Sequence, residues 1–63
     1  MPRTFAERLR ELRQGRELTQ EELAKALSVK RATITRYEAG TRQPDFETLE
    51  KIATFFNVSV DYL

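Results

Sequence analysis

The stretch from Thr19 to Gly40, TQEELAKALSVKRATITRYEAG, decides the fold of this 63-residue chain. It opens with a capping box, in which the Thr19 hydroxyl accepts from the third helical amide and the Glu22 side chain reaches back to the Thr19 amide. Apolar residues then recur at helical spacing and form an inward face, namely Leu23, Ala24 and Leu27. The resulting helix has only about two turns, so neighbouring elements must stabilise it.

A second helix of the same stretch is predicted after Val29 and runs to about Ala39, with Gly40 as its C′ stop. At roughly 100° per residue, one arc faces the core and is formed by Ile34, Tyr37 and Glu38. The opposite side carries Ala32 and Arg36, with Arg31, Thr33 and Thr35 beside them. This helix therefore presents cationic and small side chains away from the core.

Two further helices are predicted on either side of this stretch. Upstream, a second capping box (Thr4 to Glu7) opens a helix that should stop near Gly15 as its C′ residue. Downstream, Asp45 caps a helix. The apolar positions that should face the core are Phe5, Leu9 and Leu12 upstream and Leu49, Ile52, Ala53 and Phe56 downstream, with Phe46 added to the last set.

A fifth helix is expected to be short, with Ser59 as its cap and Leu63 as its end. The chain shows no strand-like alternation, no repeat and no low-complexity tract. The predicted class is therefore all-α, a compact bundle of five short helices in a single domain spanning residues 1–63.

The composition excludes several kinds of function. The chain contains no Cys and no His, so thiolate and imidazole metal sites and the usual general base are missing, and 63 residues leave little room for a substrate pocket. We therefore expect neither an enzyme, nor a metal, nor a cofactor, nor a small-molecule substrate. Residues 1–3 lead directly into an amphipathic helix and no long apolar run follows, so we expect no signal peptide, no membrane association and a cytoplasmic location.

Charge is segregated along the chain. Residues 1–42 carry ten Lys or Arg and six Asp or Glu, a net charge of +4, whereas residues 43–63 have a net charge of −3. A basic half suits a polyanionic partner.

The sequence resembles the phage Cro and lambda-repressor-like helix-turn-helix family, also called the XRE family. The resemblance extends from Leu9 to Leu63 and is carried by TQEELA at 19–24 and by single residues at fixed spacing, Val29, Ile34, Glu38, Gly40 and Pro44. It implies a helix-turn-helix unit at about 19–39 whose second helix enters the major groove of double-stranded DNA. Most members of the family regulate transcription. The resemblance therefore implies a prokaryotic or phage-encoded regulator that acts at the nucleoid, and a repressor is the expected role here.

The resemblance and the chemistry of the outer face together predict the DNA contacts. Arg31 and Arg36 can each donate two hydrogen bonds to guanine, and Ala32 can touch a thymine methyl group. The predicted base contacts are Arg31, Ala32, Thr35 and Arg36. The predicted contacts to the DNA backbone are Thr19, Gln20, Lys30, Thr33 and Arg42.

Three positions bear on stability. Arg13 and Glu38 are expected to pair across the interior, as residues at these positions do in the family. Ser28 stands where the family commonly has Gly in a left-handed turn. Lys30 stands where the family places a Ser or Thr cap, so either stability is given up there for a DNA contact, or Ser28 caps the helix from further back.

The family also implies self-association on a palindromic operator. The expected homodimer surface is C-terminal and comprises Phe55, Val58, Val60, Tyr62 and Leu63. Phe55 lies off the apolar stripe of its helix, so it marks either a contact surface or a side chain that the last helix covers. The alternative function is an antitoxin or protein-interaction module of the same fold that binds DNA weakly.

Overall fold

The computed structural model describes residues 4–63, and the expectation drawn from residues 1–3 lies outside them. Four α-helices follow one another, α1 (Phe5–Gly15), α2 (Gln20–Leu27), α3 (Arg31–Ala39) and α4 (Phe46–Phe56). Residues 4–63 contain no strand, which confirms the all-α class. None of these helices has both the length and the apolar character needed to cross a membrane.

The expected fifth helix is a single 3₁₀ turn at Val60–Tyr62, so the five-helix count was wrong. The Ser59 hydroxyl accepts from the Tyr62 amide at 3.1 Å, as a cap should. Only three residues follow this cap in regular structure, and a segment of that length cannot form a hydrogen-bonded α-helical ladder.

Side chains cap three of the four α-helices at their N-termini. Both capping boxes form as predicted, with Thr4 and Glu7 at α1 and Thr19 and Glu22 at α2. At α4 the Asp45 carboxylate accepts from the Thr48 amide at 2.8 Å. Each cap satisfies an amide that has no partner inside its helix.

The start of α3 is different, because Lys30 occupies the N-cap position and no side chain caps the helix. The alternative in which Ser28 caps α3 is therefore wrong. Ser28 instead ends α2 in the left-handed conformation, with φ 59° and ψ 40°. The amides of Ser28 and Val29 donate back to the Lys25 and Ala24 carbonyls, which closes the preceding helix.

A left-handed residue follows each of the four α-helices, at Glu17, Ser28, Gly40 and Asn57. The prediction that Gly15 is the C′ residue of α1 was wrong, because Gly15 is the last helical residue and the left-handed turn falls two positions later, at Glu17. The Leu18 amide then bonds to the Arg13 carbonyl at 3.1 Å and sets where the chain turns toward α2. Only one of these left-handed positions is occupied by glycine, and a left-handed conformation costs another residue roughly 1 to 2 kcal/mol.

The core lies between the four helices. Its largest fully buried side chains come one from each helix: Leu9, Leu23, Ile34 and Ile52. The ring of Phe5 meets Tyr37 edge to face with 6.0 Å between centroids, which joins α1 to α3. Phe46 does not join the α4 stripe as predicted, because 66% of it is exposed at the first position of that helix.

Candidate nucleic-acid interface

The outer face of α3 is a shallow depression of about 400 Å³ lined by the four residues predicted to contact bases: Arg31, Ala32, Thr35 and Arg36. On the opposite side of the same helix Ile34, Tyr37 and Glu38 are buried. The separation of the two faces follows from the helical repeat, since the core requires one arc and leaves the other exposed.

The two guanidinium groups of this face are exposed and chemically available. Within residues 4–63 neither Arg31 nor Arg36 donates a side-chain hydrogen bond or forms an ion pair. Each guanidinium has five N–H donors in a planar fork. The small Ala32 side chain lines the depression together with them, so a partner can approach the helix closely there.

A second depression adjoins the first, because both are lined by Arg31. Thr19 and Gln20 contribute its wall from the first turn of α2, where the helix dipole favours anions. The Thr19 hydroxyl accepts from the Glu22 amide at 3.0 Å, and this bond does not use the hydrogen of the hydroxyl itself. Gln20 is thus one of several polar side chains that a ligand in this depression can reach, the others being Arg13, Thr19, Glu21 and Arg31.

The remaining residues predicted to contact the DNA backbone are distributed around α3. Lys30 is exposed at its N-cap, and Thr33 is half-buried one turn further on. Arg42 is exposed in the loop that follows the helix. The structure thus places cations before and after α3, in addition to those on its outer face.

A buried ion pair anchors the inner side of α3. Arg13 of α1 donates to both carboxylate oxygens of Glu38, from Nε to Oε2 at 2.6 Å and from Nη2 to Oε1 at 3.0 Å. The exposed side-chain fractions are 14% for Arg13 and 4% for Glu38. Hydrogen bonding to Glu38 raises the pKa of Arg13, and the Arg13 Nη1 also donates to the Leu18 carbonyl at 2.8 Å. The pair that the resemblance implied is therefore present in the structure.

Arg10 also contacts Glu38, and the sequence reasoning missed it. Its Nη2 donates to the Glu38 carbonyl at 2.8 Å, and its Nε lies 3.9 Å from Oε1. The signal was available, because Arg10 and Arg13 are three residues apart and lie on the same side of α1.

Gln20 connects this buried carboxylate to the exposed face of α3. Its Nε2 donates to Glu38 Oε1 at 3.2 Å, and its Oε1 accepts from the Thr35 hydroxyl at 2.8 Å. A continuous path of polar contacts therefore runs from Arg13 through Glu38 and Gln20 to Thr35. No local sequence pattern indicates this path, because its members lie on three different helices.

The predicted dimer surface is partly used within the chain itself. Phe55, Val58 and Leu63 are half-buried against the core, and Val60 is half-buried. The Arg16 guanidinium lies 5.3 Å from the centroid of the Phe55 ring and donates to the Phe55 carbonyl at 2.9 Å. The remaining aromatic of this surface, Tyr62, is 44% exposed, with the Arg8 guanidinium 5.3 Å from its ring centroid.

Comparison with known proteins gives a consistent result. A family model described as "Helix-turn-helix" matches residues 9–63. The chain is 46% identical over 59 residues to the transcriptional activator BcrR of Enterococcus faecalis, covering 94% of this chain and 29% of BcrR. It is 43% identical over 56 residues to the cryptic phage CTXphi transcriptional repressor RstR of Vibrio cholerae, covering 89% of this chain and 50% of RstR. The chain thus spans half or less of these curated relatives.

A solved structure of similar size also matches. The restriction-modification controller protein C.AhdI from Aeromonas hydrophila superposes with a TM-score of 0.83 at 33% identity, covering 92% of this chain and 88% of that one. A transcriptional regulator from Listeria innocua matches with a TM-score of 0.88 at 34% identity, covering 97% of this chain and 57% of the other.

Proposed function

This chain belongs to the helix-turn-helix family whose model spans residues 9–63, and on that premise we propose that it is a DNA-binding transcription regulator and not an enzyme. We further propose that α3 reads double-stranded DNA in the major groove. The observation that carries this proposal is the exposed face of α3, where Ala32 and two guanidinium groups that have no partner among residues 4–63 line one depression. That combination of donors and a methyl group is suited to base edges.

The dimensions and chemistry of α3 agree with this role. An α-helix with its side chains is about 10–12 Å in diameter, and the major groove is about 12 Å wide, so a helix such as α3 can enter it. Arg31 and Arg36 are proposed to donate bidentate hydrogen bonds to guanine O6 and N7, and Ala32 to contact a thymine methyl. The buried ion pair of Arg13 and Glu38 holds α3 against α1 from the inside, which fixes the angle at which the outer face is presented.

Contacts to the DNA backbone are proposed around this helix. Gln20 lies at the start of α2, where helical amides without partners and the dipole attract a phosphate. Lys30 and Arg42 supply charge on either side of α3, and Thr19 and Thr33 complete the set predicted from the sequence. Such contacts position the protein on the duplex, while α3 supplies the specificity.

We propose that the regulator is a homodimer on a palindromic operator and acts as a repressor. The exposed Tyr62 ring and the half-buried Phe55, Val58, Val60 and Leu63 form the proposed self-association surface. A twofold dimer would set the two α3 helices about 34 Å apart, in successive major grooves. RstR is named a repressor and supports this sign of regulation, whereas BcrR is named an activator. A reporter gene with the selected site across its promoter tests the sign, because a repressor lowers expression.

Selection of binding sites from random duplex DNA tests the central proposal. The wild-type chain is expected to enrich a palindromic site with guanine in each half, and Arg36→Ala is expected to lose preference at one base pair per half-site. Lys51→Ala is the matched control, because it removes a cation from α4, on the groove shared with α2. Unchanged site preference for Arg36→Ala would contradict the assignment of α3 as the reading helix.

Repeating the binding at two salt concentrations separates the two candidate functions. A DNA-binding regulator should lose affinity steeply, with log K changing by about −0.9 per phosphate neutralised for each tenfold increase in salt. Weak binding with little dependence on salt would instead favour the protein-interaction module.

A further inference from the structure

We infer that Thr35 acts on DNA through Gln20, by fixing the Gln20 amide so that its remaining N–H meets a phosphate, and not by reading a base. This inference rests on the proposed function, and it revises the prediction that Thr35 contacts a base. It follows from counting the donors and acceptors along the path from Glu38 to Thr35.

The buried Glu38 carboxylate determines how the Gln20 amide is turned. An ionised carboxylate accepts hydrogen bonds and donates none, and Glu38 already accepts two from Arg13. The Gln20 group that lies 3.2 Å from Glu38 Oε1 must therefore be the NH₂ and not the carbonyl. The amide oxygen of Gln20 consequently faces Thr35.

The direction of the next hydrogen bond follows from this orientation. The Gln20 Oε1 can only accept, so at 2.8 Å the Thr35 hydroxyl must be the donor. A hydroxyl has one hydrogen, and here it is directed to Gln20, with the Arg31 carbonyl at 3.2 Å as a second acceptor. Thr35 therefore has no hydrogen left to donate to guanine or thymine.

One N–H of Gln20 is left over. The Nε2 has two hydrogens, and among residues 4–63 it has one acceptor, Glu38 Oε1. Gln20 lines a depression at the positive end of α2, together with Arg13, Thr19, Glu21 and Arg31. A phosphate oxygen in this depression would complete the hydrogen bonding of the amide, whose orientation is set before DNA arrives.

Two substitutions at one position separate the possible roles of Thr35. Thr35→Val keeps the shape and removes the hydroxyl, whereas Thr35→Ser keeps the hydroxyl and removes the methyl. If Thr35 holds Gln20, Thr35→Val should weaken binding about three- to ten-fold on every sequence tested, and Thr35→Ser should bind like the wild type. A base-reading methyl would give the opposite order of the two variants.

A scan with methylphosphonate duplexes identifies the phosphate. Each duplex replaces one charged phosphate of the selected site with a neutral methylphosphonate. Among the phosphates at which the wild type is sensitive, one per half-site should depend on Gln20. Both Gln20→Ala and Thr35→Val should lose the sensitivity at that same phosphate, and the double variant should be no weaker than Gln20→Ala alone. A purely structural role for Thr35 would leave the sensitivity at this phosphate unchanged.

Three outcomes would overturn the inference: additive effects of the two variants, an unchanged phosphate profile for Thr35→Val, or a changed base preference at one position. The proposed function fails separately, when the wild-type chain itself selects no DNA site. Thermal unfolding of the wild type and the four variants without DNA supplies the control for folding.

Discussion

Removing Arg13 should leave the Glu38 carboxylate buried without its main partner. Two hydrogen bonds, at 2.6 and 3.0 Å, would be lost from a group whose side chain is 4% exposed. Two partners of Glu38 Oε1 remain, the Gln20 Nε2 at 3.2 Å and the Nε of the half-exposed Arg10 at 3.9 Å. Breaking a buried pair from one side typically costs 3–5 kcal/mol. Because two weaker partners stay, we expect Arg13→Met to cost about 3 kcal/mol.

The opposite substitution should be milder. Glu38→Gln leaves Arg13 uncompensated, but that side chain is 14% exposed and still donates to the Leu18 carbonyl. We expect a loss of about 1 to 2 kcal/mol, since water and one carbonyl can solvate the guanidinium. The double variant should be more stable than the sum of the two losses predicts, with a coupling energy of about 2 kcal/mol.

Urea unfolding followed by circular dichroism measures these four free energies. A chain of 63 residues has a total stability on the order of 3–9 kcal/mol, so Arg13→Met leaves a small margin. The cycle is therefore best measured in a Ser28→Gly background, which we expect to be more stable. A coupling energy below about 0.5 kcal/mol would refute the reasoning, because independent sites are additive within that range.

Four substitutions test the helix ends. Ser28→Gly should relieve the strain of the left-handed backbone at φ 59°, stabilise the chain by about 1 kcal/mol and raise Tm by about 4–8 °C. Gly40→Ala should lower Tm, because it places a Cβ at φ 78°. Equal Tm values for the wild type and both variants would contradict this. Lys30→Ser supplies the missing cap of α3 and should raise the free energy of unfolding, measured in urea, by about 0.5 to 1 kcal/mol. The same substitution should reduce the slope of log K against log salt for DNA binding by about 0.9. Unchanged DNA affinity and slope would show that Lys30 does not contact the backbone. Hydrogen bonding from Thr48 lowers the pKa of Asp45 in the folded chain, so its contribution to stability is present above the unfolded pKa and is lost as pH falls through the folded pKa. Asp45→Asn should therefore lose less stability on acidification, and identical acid-unfolding profiles would show that this cap does not contribute.

Most of the helical framework follows from contacts within a few residues of sequence. The capping boxes at Thr4 and Thr19 form as their spacing predicts, because both partners lie in the same helical turn. The C-terminus of α1 shows where this local reasoning ends. Gly15 has the residue type of a stop, yet the left-handed turn falls at Glu17, which lets Leu18 reach the core.

Exposure was predictable only where several residues contribute to one pattern. The outer face of α3 was identified correctly because Ile34, Tyr37 and Glu38 together fix the buried arc. The exposure of Phe46 was predicted wrongly, because it is a single aromatic at the first position of α4 and no repeated spacing fixes the side that it faces.

The sequence by itself determined the four α-helices, the capping boxes at Thr4 and Thr19, the Asp45 cap, the buried arc of α3 and the family, because each depends on spacing along one chain segment. Only the tertiary structure decided how polar groups on different helices meet. The path from Arg13 through Glu38 and Gln20 to Thr35 depends on the packing of α1, α2 and α3, which sets distances between residues up to 25 positions apart. That packing leaves Arg31 and Arg36 without partners in the described part of the chain and directs the Thr35 hydroxyl to Gln20. It thus separates the residues proposed to read bases from the one proposed to orient a contact to the backbone.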